Sequence, residues 1–542
     1  MEKHNFRRLG TMIDCSRGAV MTVDTVKKWI DTTADLGYNT LMLYTEDTYE
    51  IEGHPYFGYL RGRYSHGELK EIDNYAAGKG MELIPCIQTL AHMEALFRWW
   101  RTYSNIRDYG DIFLVGEEKT YELINAMFAT IHKCFRSRIV NIGMDEAHML
   151  GRGQYQDIHG FHDRFDILLS HLNRVAEIAK KYDFELIMWG DMFFRLLNPE
   201  VLGDYYDRET AVPEKVSALI PDNVNLIYWD YYSQDQSRYE RNIRSHAAIK
   251  DNIWFAGGLW SWTGFAPHNQ FSIDATNAAF NACIANGVQD VFLTMWGDDG
   301  AECSKFALLP SLYFASQIAM GQNDMQIIKD GFEQKYGLRF DDFMLLDLPG
   351  TPNENTEIVN PERYMLFNDC FMGVVDSTIE AEGVSQSYIP CAEKLKALEN
   401  NEEYGYLFAT LRSLCDVLTI KFELGAQTRK AYNAKDKKAL TLISEKYSAL
   451  LALLDVFYDC FRTQWFKENK PNGFELHDIR LGGLIQRIKH CRDRLNAYTE
   501  GRIDVLSELE EQLLDDSGNG TNFERKSKIY QNWALNSIID VF

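Results

Sequence analysis

The chain has 542 residues, a formal net charge of −23, 46% hydrophobic and 25% charged residues. That length exceeds what one core usually serves, so two domains, or a large barrel with an appendage, are expected. The acidic balance excludes nucleic acid and an anionic membrane as partners, because both need a basic footprint.

No apolar run is long enough to span a bilayer, and the opening MEKHNFRRLG lacks the apolar stretch of a signal peptide. The ten cysteines are scattered without a CxxC pair, which predicts reduced thiols and a cytoplasmic protein. From residue 9 to about 300, β-rich runs alternate with amphipathic segments. The runs are LGTMID (9–14), NTLMLYT (39–45), MELIPCIQT (81–89), IVNIGMD (139–145), FELIMWGD (184–191), VNLIYWD (224–230), NIWFAGGLW (252–260) and QDVFLTMW (289–296). One intervening helix is predicted from an N-cap at Asp24 to a C′ glycine at Gly37, and another over 171–183. Eight near-continuous apolar strands alternating with helices predict an α/β protein with a (β/α)8 TIM barrel. A doubly wound sheet would usually show a glycine-rich phosphate turn after strand one, where CSRGAV stands instead.

The stretch 346–364 carries three prolines and several asparagines and breaks this pattern. The expected organisation is therefore a catalytic barrel over 1–345, a linker over 346–362 and an all-α helical domain over 363–542. Within the last, 402–432 and 481–514 read as helices, with apolar residues at three- and four-residue spacing. Packing against the barrel, or against a second copy in a homodimer, explains that pattern without chemistry.

In a barrel enzyme, catalytic residues lie at the C-terminal ends of strands. Those places hold Asp14 and Arg17, Glu46 and Asp47, Thr89 and His92, and Asp145 and Glu146. Further along come Trp189 and Asp191, Tyr228 with Asp230 and Tyr231, Trp260 and Trp262, and Trp296 with Asp298 and Asp299. Period-two alternation predicts that Trp189/Asp191, Tyr228/Asp230 and Trp296/Asp298 each project to one side. Trp99 and Trp100 read as helix packing. Acids interleaved with aromatic rings suit a sugar, whose CH faces stack on flat walls and whose hydroxyls donate to carboxylates. No HxH, HExxH or GxSxG occurs, so no metal, no other cofactor and no serine nucleophile is expected.

The block NIGMDEAH resembles the strand-four signature of glycoside hydrolase family 20, the β-N-acetylhexosaminidases. Tyr228-x-Asp230, Trp296-Gly297-Asp298, Trp189 and PCIQTLAH, ending at His92, resemble further motifs of that family. The similarity covers roughly residues 5–310. It is greatest to a bacterial branch in which YWDYY, FAGG.W.W, PHN and a helical C-terminal region occur together. Asn141 and Met144 depart from the usual histidine and glycine, Asp298 is one methylene shorter than the usual glutamate, and Leu9 stands where a sugar-binding arginine is expected. The small α/β domain that often precedes the barrel in this family is not expected here, as the first strand begins within ten residues of Met1.

The resemblance implies an exo-acting β-N-acetylhexosaminidase acting on GlcNAc- or GalNAc-terminated glycans through substrate-assisted catalysis. In that scheme Glu146 is the general acid and base, Asp145 holds the acetamido group, and Tyr228 or Tyr231 donates to its oxygen. Trp189, Asp230, Trp260, Trp262, Trp296, Asp298, Glu46, Asp47, Arg17 and His92 are candidate sugar-binding residues. Repulsion between the adjacent acids is expected to raise one pKa. A catalytically silent sugar-binding barrel and a two-carboxylate retaining glycosidase are the alternatives.

Overall fold

The computed structural model describes residues 4–197, 214–352, 360–377, 383–514 and 520. Eight parallel strands close into a barrel: β1 Arg8–Asp14, β2 Thr40–Tyr44, β3 Glu82–Cys86, β4 Ile139–Asn141, β5 Glu185–Trp189, β6 Val224–Trp229, β7 Trp254–Gly258 and β8 Asp290–Met295. The register closes from Arg8 opposite Asp290 to Ile13 opposite Met295. Both faces of these strands are covered, which is why they read as apolar runs rather than as alternating ones. At their N-terminal ends Arg8 binds Glu82 (2.9 Å) and Asp290 (3.3 Å), a stabilising clasp at the end opposite the site.

Each of the eight runs contains a strand, but the ends differ. β4 stops at Asn141 because Gly143 and Met144 adopt positive φ (72° and 70°), which a strand cannot continue. Asp191 leaves β5 and opens the helix Asp191–Leu197. The first helix, Val23–Ala34, is capped by Thr22, whose hydroxyl accepts the Thr25 N–H; Asp24 sits in its first turn instead. Gly37 does take positive φ (85°). The helix expected over 171–183 begins earlier, spanning Arg164–Lys180 under an Asp163 cap.

The chain forms two compact units, one of residues 1–259, 272–297 and 311–328, and a second of residues 260–271, 298–310 and 329–542. The second is built on the long helices Gly405–Asn433, Lys437–Glu468 and Phe474–Thr499. The helix expected over 481–514 starts earlier and ends at Thr499, and among the described residues the short Ser507–Glu510 follows it. Within the stretch expected to be a linker, Met344–Gly350 forms a 3-10 turn with Leu346 and Pro349 buried, while 353–359 lies outside the described residues. An ion network sits inside this unit: Arg363 meets Asp299 (2.6 Å) and Glu302 (2.7 Å), and Arg480 meets the same two acids (2.5 and 3.5 Å).

Candidate active site

The turn after β4 sets the paired acids. Gly143, Met144 and Glu146 all hold left-handed backbone (φ 72°, 70° and 52°), a conformation that is costly for the two non-glycine residues. A side chain at Gly143 would be strained at this φ, and its Cβ would meet the Gln88 amide at 2.0 Å, forcing Gln88 to shift. Its N–H is held by Asn141 Oδ1 at 3.0 Å. Gln88, in the loop after β3, pins the rest: its Oε1 accepts the Met144 N–H (3.2 Å), and its Nε2 donates to Asp145 Oδ1 (2.7 Å) and to the Tyr44 hydroxyl (2.9 Å).

The other oxygen of Asp145 lies 3.3 Å from His92 Nε2, and the same nitrogen is 3.7 Å from Glu146 Oε2. One imidazole thus bridges both acids. Burial drives the His92 pKa down, but Asp145, Glu46 and Glu146 outweigh it and lift the value to about 10. Burial in turn pushes the Asp145 carboxyl up, and His92 with Gln88 more than reverses this, holding it below the ordinary range. The two shifts agree on a carboxylate–imidazolium pair. The Glu146 side chain keeps 36% of its surface exposed.

A third acid stands behind them. Asp191 Oδ2 accepts the Glu146 N–H (3.1 Å) and its Oδ1 accepts from Trp229 Nε1 (3.4 Å). Its burial, added to the charges of Asp145 and Glu146, raises its pKa to about 8. Repulsion was expected to raise a member of the 145–146 pair; the structure gives the raised value to Asp191 and a lowered one to Asp145. Asp191 was legible as a strand-end acid, since Trp-Gly-Asp occurs at both 189–191 and 296–298. Gln88 carried only the faint signal of a polar residue just past an apolar strand.

Aromatic rings line the same end of the barrel. Trp296, half-buried, packs edge-on against Tyr44 (4.7 Å between centroids) and near Trp189 (6.0 Å). Trp229 stacks on Tyr231 (5.2 Å), and Tyr231 lies within hydrogen-bonding reach of Trp296 and Thr294. Tyr228 and Asp230 do share a side, as alternation predicts, but they do not join this group. The Tyr228 hydroxyl donates to Asp230 (3.0 Å) and accepts from Asn242 (3.1 Å), and its ring lies against His246 and Phe255. Asp230 also binds Arg238 at 2.9 Å. Both face the helix Gln236–Ala247, so alternation turns Trp229 and Tyr231 toward Asp191 and Trp296.

Glu46 (φ 46°) is buried, 3.3 Å from Arg17, and accepts from the Tyr44 hydroxyl at 3.2 Å. Burial raises its pKa, against the pull of Arg17, His92 and Arg61. Asp47 is tied to Arg61, which also donates to the Ser16 carbonyl. Leu9 lies near the start of β1, five residues from Asp14 and so roughly 16 Å along the strand from the site. Leu9 is fully buried there, and Arg17 lies in the loop that follows the strand. Trp260, Trp262 and Asp298 belong to the second unit, where the two rings stack at 4.5 Å between centroids and Asp298 is exposed. Beside His92 and Glu46 opens a polar cavity of about 580 Å3, walled by the loops after β1, β2 and β3. Among the described residues, no group of three or more His, Cys, Asp or Glu side chains could hold a metal ion, and no helix is long and apolar enough to cross a membrane.

Known proteins bear on this arrangement. The model of the glycosyl hydrolase family 20 catalytic domain matches residues 4–254, and that of the glycoside hydrolase 20C C-terminal domain matches residues 341–527. Hexosaminidase D of Bos taurus is 24% identical over 243 residues, 43% of this chain and 63% of its own length; that of Homo sapiens is 26% identical over 36% of this chain and 39% of its own. The chain thus spans less than two thirds of these relatives. Among solved structures, a β-N-acetylhexosaminidase from Bacteroides fragilis is 18% identical with a TM-score of 0.46, covering 62% of this chain and 71% of its own. A family 20 exo-β-N-acetylglucosaminidase from Vibrio harveyi, in complex with N-acetylglucosamine, is 13% identical with a TM-score of 0.45, covering 64% and 59%. With one model on the barrel sequence and a second on the helical region, the chain belongs to glycoside hydrolase family 20.

Proposed function

We propose that the protein is an exo-β-N-acetylhexosaminidase that removes terminal non-reducing β-linked GlcNAc from oligosaccharides or glycoconjugates, with retention of configuration. The observation that carries this reading is the adjacent Asp145–Glu146 pair bridged by one imidazole. Two-carboxylate retaining glycosidases place their acid and nucleophile across the scissile bond, about 5–5.5 Å apart, whereas adjacent acids both address one side of one sugar. That suits a substrate that supplies its own nucleophile.

The 2-acetamido oxygen attacks C1 while Glu146, open to solvent, gives its proton to the leaving oxygen, so the C1–O bond breaks and an oxazoline forms. Water then attacks C1, Glu146 takes the proton back, and the ring opens with net retention. Asp145 accepts the acetamido N–H and offsets the positive charge that develops on the group. His92 supports this by keeping Asp145 ionised. Tyr231 would donate to the acetamido oxygen, because Tyr228 gives its hydroxyl proton to Asp230. Trp296, half-buried and backed by Trp189, supplies a flat apolar face for the pyranose. The reading extends to β-GalNAc, since it carries the same 2-acetamido group and differs only at C4, which takes no part in the acetamido-directed step.

The test is turnover of aryl β-GlcNAc, aryl β-GalNAc and aryl β-glucoside, with the first-formed anomer read by NMR. Cleavage of the two acetamido sugars to the β-anomer is expected. Equal turnover of the glucoside would favour a two-carboxylate enzyme, and no turnover of any would favour a silent sugar-binding barrel.

A further inference from the structure

The cavity beside His92 has a charge opposite to that of the chain. Its wall carries five basic side chains, Arg17, Arg61, Arg98, Arg107 and His92, against three acids, in a protein of net charge −23. Two of these arginines are committed, Arg17 to Glu46 and Arg61 to Asp47 and the Ser16 carbonyl. Of the remaining acids, Asp111 accepts the His92 N–H and Glu94 is exposed.

Arg98 and Arg107 differ from the other pair. The Arg98 guanidinium has no hydrogen-bond or ion partner among the described residues. Arg107 is held in place by its Nε, which donates to the Gly110 carbonyl at 2.6 Å, and by the rings of Phe97 (5.7 Å) and Trp100 (6.0 Å). Its two terminal nitrogens have no bond among the described residues. A planar fork fixed by its stem and open at its tip is suited to a two-pronged contact with an oxyanion.

The same loops raise an aromatic rim. Tyr56, Tyr59 and Trp99 meet pairwise at 5.2–5.9 Å between centroids, and Tyr56 and Tyr59 are 41% and 43% exposed. Trp100 is 58% exposed. Trp99 and Trp100, expected to be helix packing, therefore form part of a surface that water touches, next in sequence to Arg98. Exposed rings grouped this way offer stacking faces to a sugar.

We propose that this cavity is the leaving-group subsite, and that it selects an aglycone sugar bearing an oxyanion, a carboxylate or a sulfate, read by Arg98 and Arg107 with the ring against the Tyr56–Tyr59–Trp99 rim. This rests on the reading of Glu146 as the acid. His92 lines the cavity and lies 3.7 Å from Glu146, so the cavity opens one imidazole away from the group that protonates the leaving oxygen.

The test compares kcat/KM for β-GlcNAc linked to glucuronic acid and to glucose, in both 1→3 and 1→4 linkage. A second arm compares β-GlcNAc on galactose 6-sulfate and on galactose. A charged-over-neutral ratio of roughly tenfold in one arm identifies the oxyanion, the exposure of Arg98 keeping the effect modest. Arg98→Ala and Arg107→Ala should each bring that ratio toward one, Arg98→Lys should keep part of it, and added salt should shrink it. Because it is a ratio, a general loss of folded enzyme leaves it unchanged. Ratios near one in both arms, or a ratio that neither substitution moves, overturn the proposal. If aryl β-GlcNAc is not cleaved at all, the catalytic reading fails, and the cavity is read by tryptophan fluorescence instead. Saturable quenching by glucuronic acid or galactose 6-sulfate but not by glucose or galactose, lost in Arg98→Ala, then supports an oxyanion site. Identical titrations with charged and neutral sugars overturn it.

Discussion

Replacing Asp191 by asparagine is expected to stabilise the fold at neutral pH, although it removes a buried hydrogen-bonded acid. In the unfolded chain this carboxyl ionises near 3.8, whereas in the folded chain burial and the neighbouring charges hold its proton to about 8. The folded pKa is raised, so the stability contributed by this group is full below pH 3.8 and is lost as pH rises through about 8. At pH 7 the chain has moved about three pH units past the unfolded value, which at 1.36 kcal/mol per unit is a cost of about 4 kcal/mol at most. Asparagine has no proton to hold and escapes it. Its amide oxygen can accept the Glu146 N–H as Asp191 Oδ2 does, but its NH2 then faces Trp229 Nε1, a donor opposite a donor. That mismatch costs about 1–3 kcal/mol. The net is a gain of about 1–3 kcal/mol at pH 7 that shrinks to nothing or reverses at pH 4.5, where the gain is only about 1 kcal/mol. Urea unfolding of both proteins at the two pH values measures it. A difference independent of pH, or a variant less stable than wild type at pH 7, would refute the assignment of a neutral Asp191.

Activity should follow the same group: kcat/KM is expected to fall as pH rises through about 8, when an ionised Asp191 adds charge beside Asp145 and Glu146, and Asp191→Asn should lose that alkaline limb in a pH–rate profile. Glu146→Gln should lose most activity on poor leaving groups and less on activated aryl glycosides, while Asp145→Asn should damage both classes, so identical profiles would contradict their roles. Gln88→Leu strands the Met144 N–H and one Asp145 oxygen in a buried place, and should cost about 2–5 kcal/mol in urea unfolding. Arg363→Met leaves Glu302 buried with only the longer Arg480 contact, and should destabilise the protein by about 3–5 kcal/mol in urea unfolding.

The barrel was legible because parallel strands covered on both faces must be apolar throughout, and eight such runs occur at barrel spacing. Strand ends were not, because they depend on single backbone torsions. β4 ends at Asn141 rather than at Asp145 for the sake of two left-handed residues, and that choice aims the paired acids. Side-chain facing failed for a related reason. Period two put Tyr228 and Asp230 together correctly, but only the packed helix with Asn242 and Arg238 reveals that their side is the outer one. The arginine-lined cavity draws on positions 17, 61, 98 and 107, and no linear pattern joins them.

The departures from the family motif are more consistent than they look residue by residue. Position 144, glycine in the resembled signature, takes φ 70° here, a conformation glycine adopts freely and methionine at a cost of about 1–3 kcal/mol. The Met144 side chain is fully buried, which contributes about 1.5–3 kcal/mol, and its N–H is tied to Gln88. The exchange therefore changes what fills the space under the turn while keeping the path of the chain. Asn141 likewise replaces a histidine, and its Oδ1 holds the Gly143 N–H. Both substitutions act on the support of the turn, not on the carboxylates that it presents. Gln88 is the member that links them: it closes on the Met144 backbone with one end of its amide and on Asp145 with the other. A change in the turn is thus transmitted to Asp145 through one side chain, and only a backbone that keeps its left-handed residues leaves both ends of that amide satisfied.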